Sequence, residues 1–417
     1  MKQTKVCIVG AGPAGATAAL QLAQLGIECI VVDKAIFPRD KVCGDGLSGK
    51  VITVLNRIDA AMAGRLRARQ DKLNSWGVLF VSPGRHALQV GYRPDFDSTN
   101  SQHKEAPIGY VCKRMDFDNF LVDEMKARPE IQLHEGVTID KYELQPDGYL
   151  ISGSNGFQVK AALLIVANGA HASFTKEVAN ITMEPKHYSA GVRAYYENVT
   201  GNNADNFIEL HFLKELLPGY FWIFPLPNGQ ANVGVAVLSD DVRKKKMNLK
   251  RSLQEIIESD PILKDRFKDA KRISPVEGYG LPLGTKRRVI SGERYMLVGD
   301  AAYLIDPFTG EGIGNGMYAG RMAALQAAEA IKANNFSATQ LAAYDSEVYR
   351  VLGAELKLSK RLLQMVRFPW LVNKVFGICS RNKQLQELVS SMFFEVDIRK
   401  KLAQPSFYVK LLLNRPS

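Results

Sequence analysis

The hydrophobic pattern at the start of the chain predicts a strand, a helix and a second strand. The segment Lys5 to Val9, with an apolar run from Val6 onward, is typical of a strand. Apolar residues then recur at helical spacing from Ala14 to Leu25, and Gly26 stands where a helix commonly ends. The next run, Ile27 to Val32, is again strand-like and stops at Asp33. The chain therefore begins with a β-α-β unit.

Strand-like and helix-like segments follow one another along the rest of the chain. The run Leu163 to Ala167 is continuously apolar, as in a strand buried within a parallel sheet. A segment of small residues that begins near Gly312 predicts a long helix. The other predictions, in chain order, are short strands over 76–110, a helix over 114–128, a strand near 137–139, a β-rich region over 187–240, a charged helical stretch over 243–272, a strand over 295–298 and a helical tail from about 340.

Composition and charge narrow the classes of protein that fit these elements. A hydrophobic content of 46% and a charged content of 23% are those of a folded chain rather than a disordered one. The net charge of +11 favours either anionic partners or a solvated surface. Because the chain has no nucleic-acid motif, we rank lipid headgroups and phosphorylated ligands above nucleic acid and expect no nucleic-acid partner.

The cysteines and the longest apolar runs indicate in which compartment of the cell the protein is expected. The five cysteines are widely spaced and form no C-x-x-C pair, so we expect neither a disulfide framework nor a metal site. A reducing cytoplasm fits this pattern best. No apolar run approaches the length of a membrane-spanning helix, so any membrane contact is expected to be peripheral.

The strongest chemical signal is the glycine-rich turn between the first strand and the first helix. In a dinucleotide-binding turn, Gly10 permits the tight bend, Gly12 lets a pyrophosphate approach the backbone, and Gly15 lets helix and strand pack closely. The helix N-terminus near Ala14 supplies N–H groups and partial positive charge for the phosphates. Asp33 stands at about the spacing at which a carboxylate binds ribose hydroxyls. We therefore predict a bound dinucleotide.

These segments predict a fold class of α/β plus α+β in three parts. The first is a discontinuous, Rossmann-like dinucleotide-binding domain over 1–75, 105–178 and 276–340. The second is an inserted mixed β-sheet substrate domain over 76–104 and 179–275. The third is a helical C-terminal region over 341–417.

A second site far downstream indicates that the dinucleotide is FAD. Asp300 follows a strand, where its carboxylate can accept hydrogen bonds from a ribityl chain. The segment Pro307 to Gly314 then opens a helix whose N-terminus can face the flavin N1/C2 carbonyl edge and stabilise an anionic reduced ring. Gly314, Gly316, Gly320 and Ala323 give that helix a thin face for close packing.

With both sites, the chain resembles the para-hydroxybenzoate-hydroxylase-like flavoproteins over most of residues 1 to 330. The resemblance implies that Arg39 and Arg114 contact the cofactor, although the sequence allows both to be surface arginines. Asn168 and Gly169 stand where those proteins usually have Asp-Gly, which weakens the analogy to hydroxylases that use NAD(P)H. The chain has no second glycine turn between a strand and a helix. We therefore expect the reductant to be either NAD(P)H that binds transiently or a protein electron donor.

Two further motifs are similar to those of the geranylgeranyl reductase family. The first runs from Phe37 to Leu47 and contains Cys43. The second, Tyr220 to Pro225, has the pattern Y-x-W-x-F-P, and Ala236 replaces the last glycine of the G-x-G that follows in the family. The resemblance implies reduction of isolated double bonds in prenyl chains, on a hydrophobic or lipid substrate, and it places Cys43 near the reaction centre.

The candidate site residues follow from these motifs. Tyr220 and Trp222 stand two apart in a strand, so their side chains share one face and either wall a cavity above the flavin or pack in the core. The candidate catalytic residues are Cys43, Tyr220 and Trp222. The candidate substrate-binding residues are Tyr220, Trp222, Phe224 and Pro225. The candidate cofactor-binding residues are Gly10, Gly12, Pro13, Ala14, Gly15, Asp33, Lys34, Arg39, Cys43, Gly44, Arg114, Val137, Gly169, Asp300, Gly310, Gly312 and Ile313.

The resemblance predicts an FAD-dependent oxidoreductase in which hydride passes from reduced flavin to an alkene carbon. The proton donor stays open among water, Cys43 and a nearby acid. The alternative is a flavin-dependent monooxygenase or halogenase acting on an aromatic or polyketide substrate, because Tyr220 to Pro225 also resembles the halogenase pattern W-x-W-x-I-P. An electron-transfer flavoprotein with a cysteine-ligated cluster is disfavoured, since only Cys379 follows Cys112.

The stretch Leu362 to Val372 mixes bulky apolar and basic residues. It predicts ordinary helix packing, or else a segment that lies at a membrane interface or caps a lipid tunnel.

Overall fold

The N-terminal strand lies inside a mostly parallel sheet in the computed structural model, which describes residues 2–92, 107–170 and 173–382. The strands are β1 Lys2–Val9, β2 Cys29–Val32, β3 Gly46–Leu47, β4 Lys72–Ser75, β5 Gly77–Val81, β6 Ala87–Gly91, β7 Gly109–Cys112, β8 Ile131–His134, β9 Ile139–Gln145, β10 Gly148–Gly153, β11 Gln158–Val166, β12 Tyr188–Glu197, β13 Ile208–His211, β14 Tyr220–Pro225, β15 Gln230–Leu238, β16 Lys271–Arg272, β17 Glu277–Pro282, β18 Ser291–Gly292 and β19 Tyr295–Leu297. The helices are α1 Pro13–Gln24, α2 Gly49–Ile58, α3 Ala60–Ala68, α4 Arg114–Lys126, α5 Ser173–Glu177, α6 Ser239–Lys244, α7 Leu249–Ser259, α8 Leu263–Arg266, α9 Ile313–Lys332, α10 Ala338–Met365 and α11 Pro369–Cys379.

The first sheet carries the predicted β-α-β unit. Its strand order is β18-β19-β11-β1-β2-β8, and β9 and β10 extend it on an antiparallel branch from β11. Val6 of β1 pairs in parallel with Leu163 of β11 on one side and with Cys29 of β2 on the other. The last four residues of β1 and all of β2 are buried, because these strands have neighbours on both sides, and this explains their continuous apolar runs. The predicted mixed α/β fold class is confirmed.

The second sheet is largely antiparallel and contains the aromatic strand β14. Its order is β16-β12-β15-β14-β13-β5-β6, and β17 also pairs with β12. Strand β17, Glu277–Pro282, lies in this sheet because it pairs with β12. The predicted domain boundary at residue 276 had assigned the same segment to the first domain. Strand pairing across the boundary, which composition does not reveal, is the reason for the difference. The division into domains otherwise stays a prediction.

Small residues let α1 and α9 pack closely beside the first sheet. A Cβ on Gly320 would lie 2.1 Å from the carbonyl oxygen of Ala14, and one on Gly316 would lie 3.3 Å from the Ala14 Cβ. The predicted thin face of α9 is therefore used at these two positions. Gly314 instead faces Ser48 and Lys50 of the α2 region.

Two predicted elements differ from the structure. The charged stretch over 243–272 is not one helix, because turns separate α6, α7 and α8 and a short strand, β16, closes the segment. Asn248 caps α7 by accepting a hydrogen bond from the Arg251 amide. The strand expected near 137–139 begins only at Ile139, and Val137 lies in the preceding loop.

The C-terminal helices α10 and α11 complete a second hydrophobic core beside the aromatic strand. Val366, Val372 and Phe376 pack in a buried cluster with Phe80 and Phe308. The stretch 362–372 thus contributes to helix packing, as one of its two interpretations predicted. The part of the predicted C-terminal region over 383–417 lies outside the described residues. Among the described helices, none combines the length and the apolarity needed to cross a bilayer.

Candidate active site

A cavity of about 1570 Å³ lies between the two sheets and the C-terminal helices. It is larger than the roughly 300–1000 Å³ of an ordinary small-molecule site. Most of the predicted cofactor and substrate residues contribute to its lining. These are Gly10, Gly12, Pro13, Ala14, Asp33, Lys34, Arg39, Cys43, Gly44, Arg114, Val137, Gly169, Tyr220, Trp222, Phe224, Asp300, Gly310, Gly312 and Ile313.

Two predicted site residues, Gly15 and Pro225, do not line the cavity. Gly15 packs inward, because a Cβ there would lie 1.8 Å from the Gly10 carbonyl oxygen. Pro225 is buried in β14 on the strand face that carries Phe221 and Ile223. Successive side chains of a strand alternate between faces, so Tyr220, Trp222 and Phe224 reach the cavity while Pro225 does not.

The glycine turn has the geometry that a close-lying phosphate group needs. Gly10 has φ of +108°, and a Cβ there would lie 2.4 Å from the Ala167 carbonyl oxygen, so a side chain is excluded. Helix α1 begins after Gly12, and no side chain in the described chain caps it. Its first amides therefore remain available to an anionic group in the cavity. Asp33 braces the turn by accepting hydrogen bonds from the Ala11 and Ala35 amides at 2.7 and 2.8 Å.

A buried arginine–aspartate–arginine group lies beside this turn. Arg114 donates two hydrogen bonds of 2.7 Å to Asp118, and Arg39 donates a third of 2.6 Å. Burial alone would raise the pKa of Asp118, but the two arginines outweigh it and hold the pKa below its usual value. Arg39 is the nearer to the turn, since a Cβ on Gly12 would lie 3.7 Å from its Nη2 atom. Asp118, which sequence analysis missed, stands one helical turn after Arg114.

A hydrogen-bond network joins the Cys43 turn to the aromatic strand. The side-chain amide of Asn232 donates to the Cys43 carbonyl at 2.7 Å and to Asp45 at 2.8 Å. Trp222 donates its indole N–H to Asn232 at 2.9 Å, and Tyr195 donates its hydroxyl to Asp45 at 2.8 Å. Asn232 therefore connects the two motifs that the sequence suggested separately. Its only sequence signal is a polar residue within an otherwise apolar strand.

Cys43 itself is half-buried at the cavity wall. Burial raises the pKa of its thiol, although the positive charge of Arg114 opposes the rise. The group is therefore a neutral thiol at neutral pH rather than a thiolate, so it is suited to hold or donate a proton and not to act as a nucleophile.

The pH dependence of stability offers a test of the buried Asp45. Burial raises its pKa from 3.8 to about 6, even though Asn232 and Tyr195 donate hydrogen bonds to it. A carboxyl whose pKa is raised on folding stabilises the protein below the unfolded value of 3.8 and loses that stabilisation as pH rises through about 6. The loss amounts to about 3 kcal/mol.

We expect Asp45→Asn to remove this component, because asparagine keeps the acceptor and does not titrate. Urea unfolding of both proteins between about pH 4 and about pH 7, which covers most of this change, should show a decline in stability that is smaller in the variant by about 2 kcal/mol. The same pH dependence in both proteins would contradict the assignment.

Aromatic side chains form the apolar part of the cavity. Tyr220 and Trp222 meet edge to face with ring centroids 6.2 Å apart, and Phe80 and Phe308 stack at 6.0 Å. Tyr220 also donates its hydroxyl to the Thr309 carbonyl at 3.1 Å, which ties β14 to the turn before α9. The arrangement presents an apolar surface with few polar groups next to the predicted flavin site.

The residues present fit an FAD. The open amides of α1 and Arg39 suit a pyrophosphate, and the glycine turn leaves the room that a Cβ would fill. Asp33 lines the cavity at the end of β2, as a ribose-binding carboxylate does. Asp300 lines the same cavity and pairs with Lys41 at 3.1 Å, so a carboxylate is present where a ribityl chain needs an acceptor.

Comparisons with known proteins agree with this fit. A family profile described as "FAD binding domain" matches residues 3–356. The chain is 30% identical over 331 residues to the menaquinone reductase of Mycobacterium tuberculosis strain CDC 1551 / Oshkosh. This alignment covers 76% of this chain and 75% of that protein. It is 30% identical over 376 residues to digeranylgeranylglycerophospholipid reductase 1 of Methanothermobacter thermautotrophicus, with 87% of each chain covered.

Solved structures share the whole fold. A geranylgeranyl bacteriochlorophyll reductase-like protein from Thermoplasma acidophilum matches with a TM-score of 0.80 at 23% identity, over 97% of this chain and 99% of that one. A halogenase in complex with phloroglucinol and FAD matches with a TM-score of 0.72 at 17% identity, over 98% of this chain and 90% of that one. At these identities the two structures establish the fold and nothing further.

Proposed function

The chain belongs to the FAD binding domain family and, within it, to the geranylgeranyl reductase group of FAD-dependent oxidoreductases, and from this membership we propose that it reduces C=C bonds of a prenyl or other isoprenoid lipid. The two relatives at 30% identity are named for menaquinone and for digeranylgeranylglycerophospholipid. FAD, when bound, supplies the hydride. The chain's own residues hold the cofactor, align the lipid and provide a proton.

The observation that carries this proposal is the continuity of the cavity. The same space is lined by the glycine turn, by Tyr220 and Trp222, and by Met365 and Phe376 of the C-terminal helices and their junction. FAD would occupy the part of this space beside the glycine turn, and the remainder continues past Tyr220 and Trp222 along the apolar C-terminal helices. A long apolar chain laid beside a flavin suits that shape.

The proposed roles of the site residues follow from their contacts. Gly10, Gly12 and Arg39 would hold the pyrophosphate, and Asp33 would hold a ribose. Tyr220 and Trp222 would exclude water from the reacting carbons and orient the chain, since both rings line the cavity and Trp222 is fixed by Asn232. The predicted catalytic roles of Cys43, Tyr220 and Trp222 are retained within this proposal.

An anaerobic experiment tests the proposal. The FAD-loaded protein is reduced with dithionite, mixed with geranylgeranyl glycerophospholipid or menaquinone, and followed by flavin absorbance and by mass spectrometry of the lipid. We expect flavin reoxidation together with product that has gained two hydrogens per saturated bond. Reoxidation without saturation contradicts the proposal. NAD(P)H-driven oxygen consumption that an aromatic substrate stimulates would favour a monooxygenase or halogenase instead.

The same assay identifies the source of electrons. NADPH, NADH and a reduced ferredoxin are offered separately in place of dithionite. Rapid reduction by a nicotinamide would assign a transiently bound dinucleotide, whereas reduction by ferredoxin alone would assign a protein donor.

We further propose that the cavity mouth contacts a membrane surface. Phe368 and Trp370 are 54% and 66% exposed, and Trp370 and Lys374 also line the cavity. Exposed aromatic rings beside basic residues suit the interface of an anionic bilayer, and the net charge of +11 has the matching sign. A lipid could then enter the cavity without crossing water.

We expect the double variant Phe368→Ala with Trp370→Ala to lose at least tenfold in affinity for vesicles that contain anionic phosphatidylglycerol. Burying one such side chain contributes about 1.5–3 kcal/mol, and about 1.4 kcal/mol corresponds to a factor of ten. Co-sedimentation measures the binding, with Val289→Ala as the control, because Val289 is an exposed apolar residue on the β17–β18 connection. Equal binding of variant and control would exclude this surface as the contact.

A further inference from the structure

Three carboxyl groups and one lysine converge at the cavity wall before helix α9. Lys50 donates to both carboxylate oxygens of Glu355 at 2.8 Å and to the side-chain oxygen of Asn315 at 2.6 Å. All three ammonium protons are thereby used. Asp306 and Glu311 line the same cavity close by. The positive charge of the group therefore balances only one of the three carboxyl groups.

Asp306 has a structural task in the turn that leads to α9. One of its oxygens accepts hydrogen bonds from the Phe308 and Thr309 amides at 3.0 and 2.8 Å and from the Thr309 hydroxyl at 3.0 Å. The residue is only 1% exposed. These bonds fix the turn that carries Glu311, and they leave Asp306 little freedom to approach a substrate.

Glu311 occupies a different position, because its side chain retains accessible surface and lines the cavity. One oxygen accepts a hydrogen bond of 2.6 Å from the Gly314 amide at the start of α9. Ser48 lies beside it, since a Cβ on Gly314 would be 3.0 Å from the Ser48 hydroxyl and 3.1 Å from the Glu311 oxygen. In the described part of the chain, neither Glu311 nor Asp306 forms an ion pair.

The neighbours of Glu311 place it between the flavin side of the cavity and the aromatic wall. A Cβ on the preceding Gly310 would lie 2.7 Å from the Tyr220 hydroxyl. A Cβ on the following Gly312 would lie 3.7 Å from an oxygen of Asp300. Glu311 stands between these two glycines, and its side chain lines the same cavity, so its carboxyl opens onto the space in which the proposed substrate would lie.

From this geometry we infer that Glu311 is a neutral carboxylic acid and donates the proton that completes reduction of the alkene. The inference rests on the proposed function and assigns the proton donor of that same site. In the step, the π bond breaks, one alkene carbon receives a hydride from the reduced flavin, and the other forms a C–H bond with the Glu311 proton. The flavin loses two electrons, which NAD(P)H or a protein donor restores, and Glu311 becomes a carboxylate.

The surroundings support both states of the acid. Burial raises the pKa of Glu311, and the negative charge of Glu355 adds to the rise, while Lys50, the Gly314 amide and Ser48 oppose it. After proton transfer, the amide at the N-terminus of α9 and the nearby Lys50 stabilise the new carboxylate. The other titratable groups that face the cluster are Asp306, Tyr92 and Tyr220. Solvent reprotonates the acid between turnovers.

The rate of lipid saturation should depend on pH through the protonation of Glu311. The acid must carry its proton to react, and its pKa lies above the usual glutamate value. The saturation rate should therefore be constant at low pH and fall as pH rises through that raised value. This decline should be missing from the residual rate of Glu311→Gln.

The test compares Glu311→Gln with Asp306→Asn and with the exposed control Glu347→Gln, all loaded with FAD. Single-turnover saturation of a geranylgeranyl lipid should slow at least 100-fold in Glu311→Gln, since general acids contribute about 10²–10⁴-fold. Its FAD content and its reduction by dithionite should equal those of the wild type. Infrared spectra without lipid, recorded at a pH well above the Asp45 pKa of about 6, should show the C=O band of a protonated carboxylic acid that shifts in D₂O. That band should be lost in Glu311→Gln and kept in the other two proteins.

The outcomes of this test distinguish a failure of the Glu311 assignment from a failure of the proposed function. Saturation by Glu311→Gln within threefold of the wild-type rate overturns the inference. A band that survives in Glu311→Gln and disappears in Asp306→Asn also overturns it, because the proton then sits on Asp306. If the wild type saturates no lipid but keeps the band, the proposed function fails while the protonation of Glu311 stands.

Discussion

Replacing Asp118 with alanine should destabilise the protein by about 3–5 kcal/mol, the usual effect of breaking a buried ion pair. Asp118 is fully buried, and Arg114, only 3% exposed, donates two hydrogen bonds to it. The variant leaves the guanidinium of Arg114 buried without its counter-charge. Arg39, at 20% side-chain exposure, can turn toward water and contributes less to the loss.

The shift in the urea midpoint of the first unfolding transition measures this effect. Glu347→Ala is the matched control, because it removes the acid of an exposed pair with Arg350. Exposed pairs contribute about 0–1 kcal/mol, so the control should barely move the midpoint. Equal shifts for the two variants would mean that Arg114 finds another partner and that Asp118 is dispensable.

Replacing Gly15 with alanine should abolish FAD binding and lower stability by at least about 3 kcal/mol. The new methyl group would lie 1.8 Å from the Gly10 carbonyl oxygen and 3.0 Å from the Ala167 side chain. Overpacking usually costs about 1–3 kcal/mol when side chains can adjust. Here the obstructing atom belongs to the backbone, so helix α1 must move away from β1, and the phosphate-binding amides move with it.

The flavin absorbance of purified protein and its thermal midpoint report the two effects. Gly64→Ala serves as the control, because Gly64 lies inside α3 and a Cβ there meets nothing within 4 Å. Since alanine favours a helix by roughly 1 kcal/mol over glycine, the control should be unchanged or slightly stabilised. If Gly15→Ala folds too poorly for measurement, isolated Gly15→Ala protein refolded with excess FAD still reports binding. A flavin content equal to that of Gly64→Ala would contradict the proposed packing role.

Local spacing was enough to predict the parts of the site that lie within one short segment. The β-α-β unit, the glycine turn, Asp33 at the end of β2 and the turn before α9 all follow from residues a few positions apart. Such segments encode their geometry directly, because a glycine at a positive φ or an apolar run needs no distant partner. The shared face of Tyr220 and Trp222 in β14 was also predictable by alternation, whereas the candidate Pro225 lies on the opposite face.

Other features depend on residues that meet only after folding. Asn232 contacts Cys43 across 189 positions, and Lys50 reaches Glu355 across 305. The place of β17 in the second sheet is likewise a pairing between distant strands. No local pattern marks these partners, since a buried polar residue is informative only once its neighbours are known.

The sequence by itself therefore determined the cofactor class and the order of the main elements from short-range spacing, and it indicated the family through the resemblance of two short motifs. Only the tertiary structure decided which of the described polar groups share the cavity and which of them form ion pairs. The physical reason is that burial and the distances between chain segments determine the free energy of each charged group in the folded protein. Glu311 shows the difference: its motif was evident in the sequence, but its position beside an already neutralised Glu355–Lys50 pair was not.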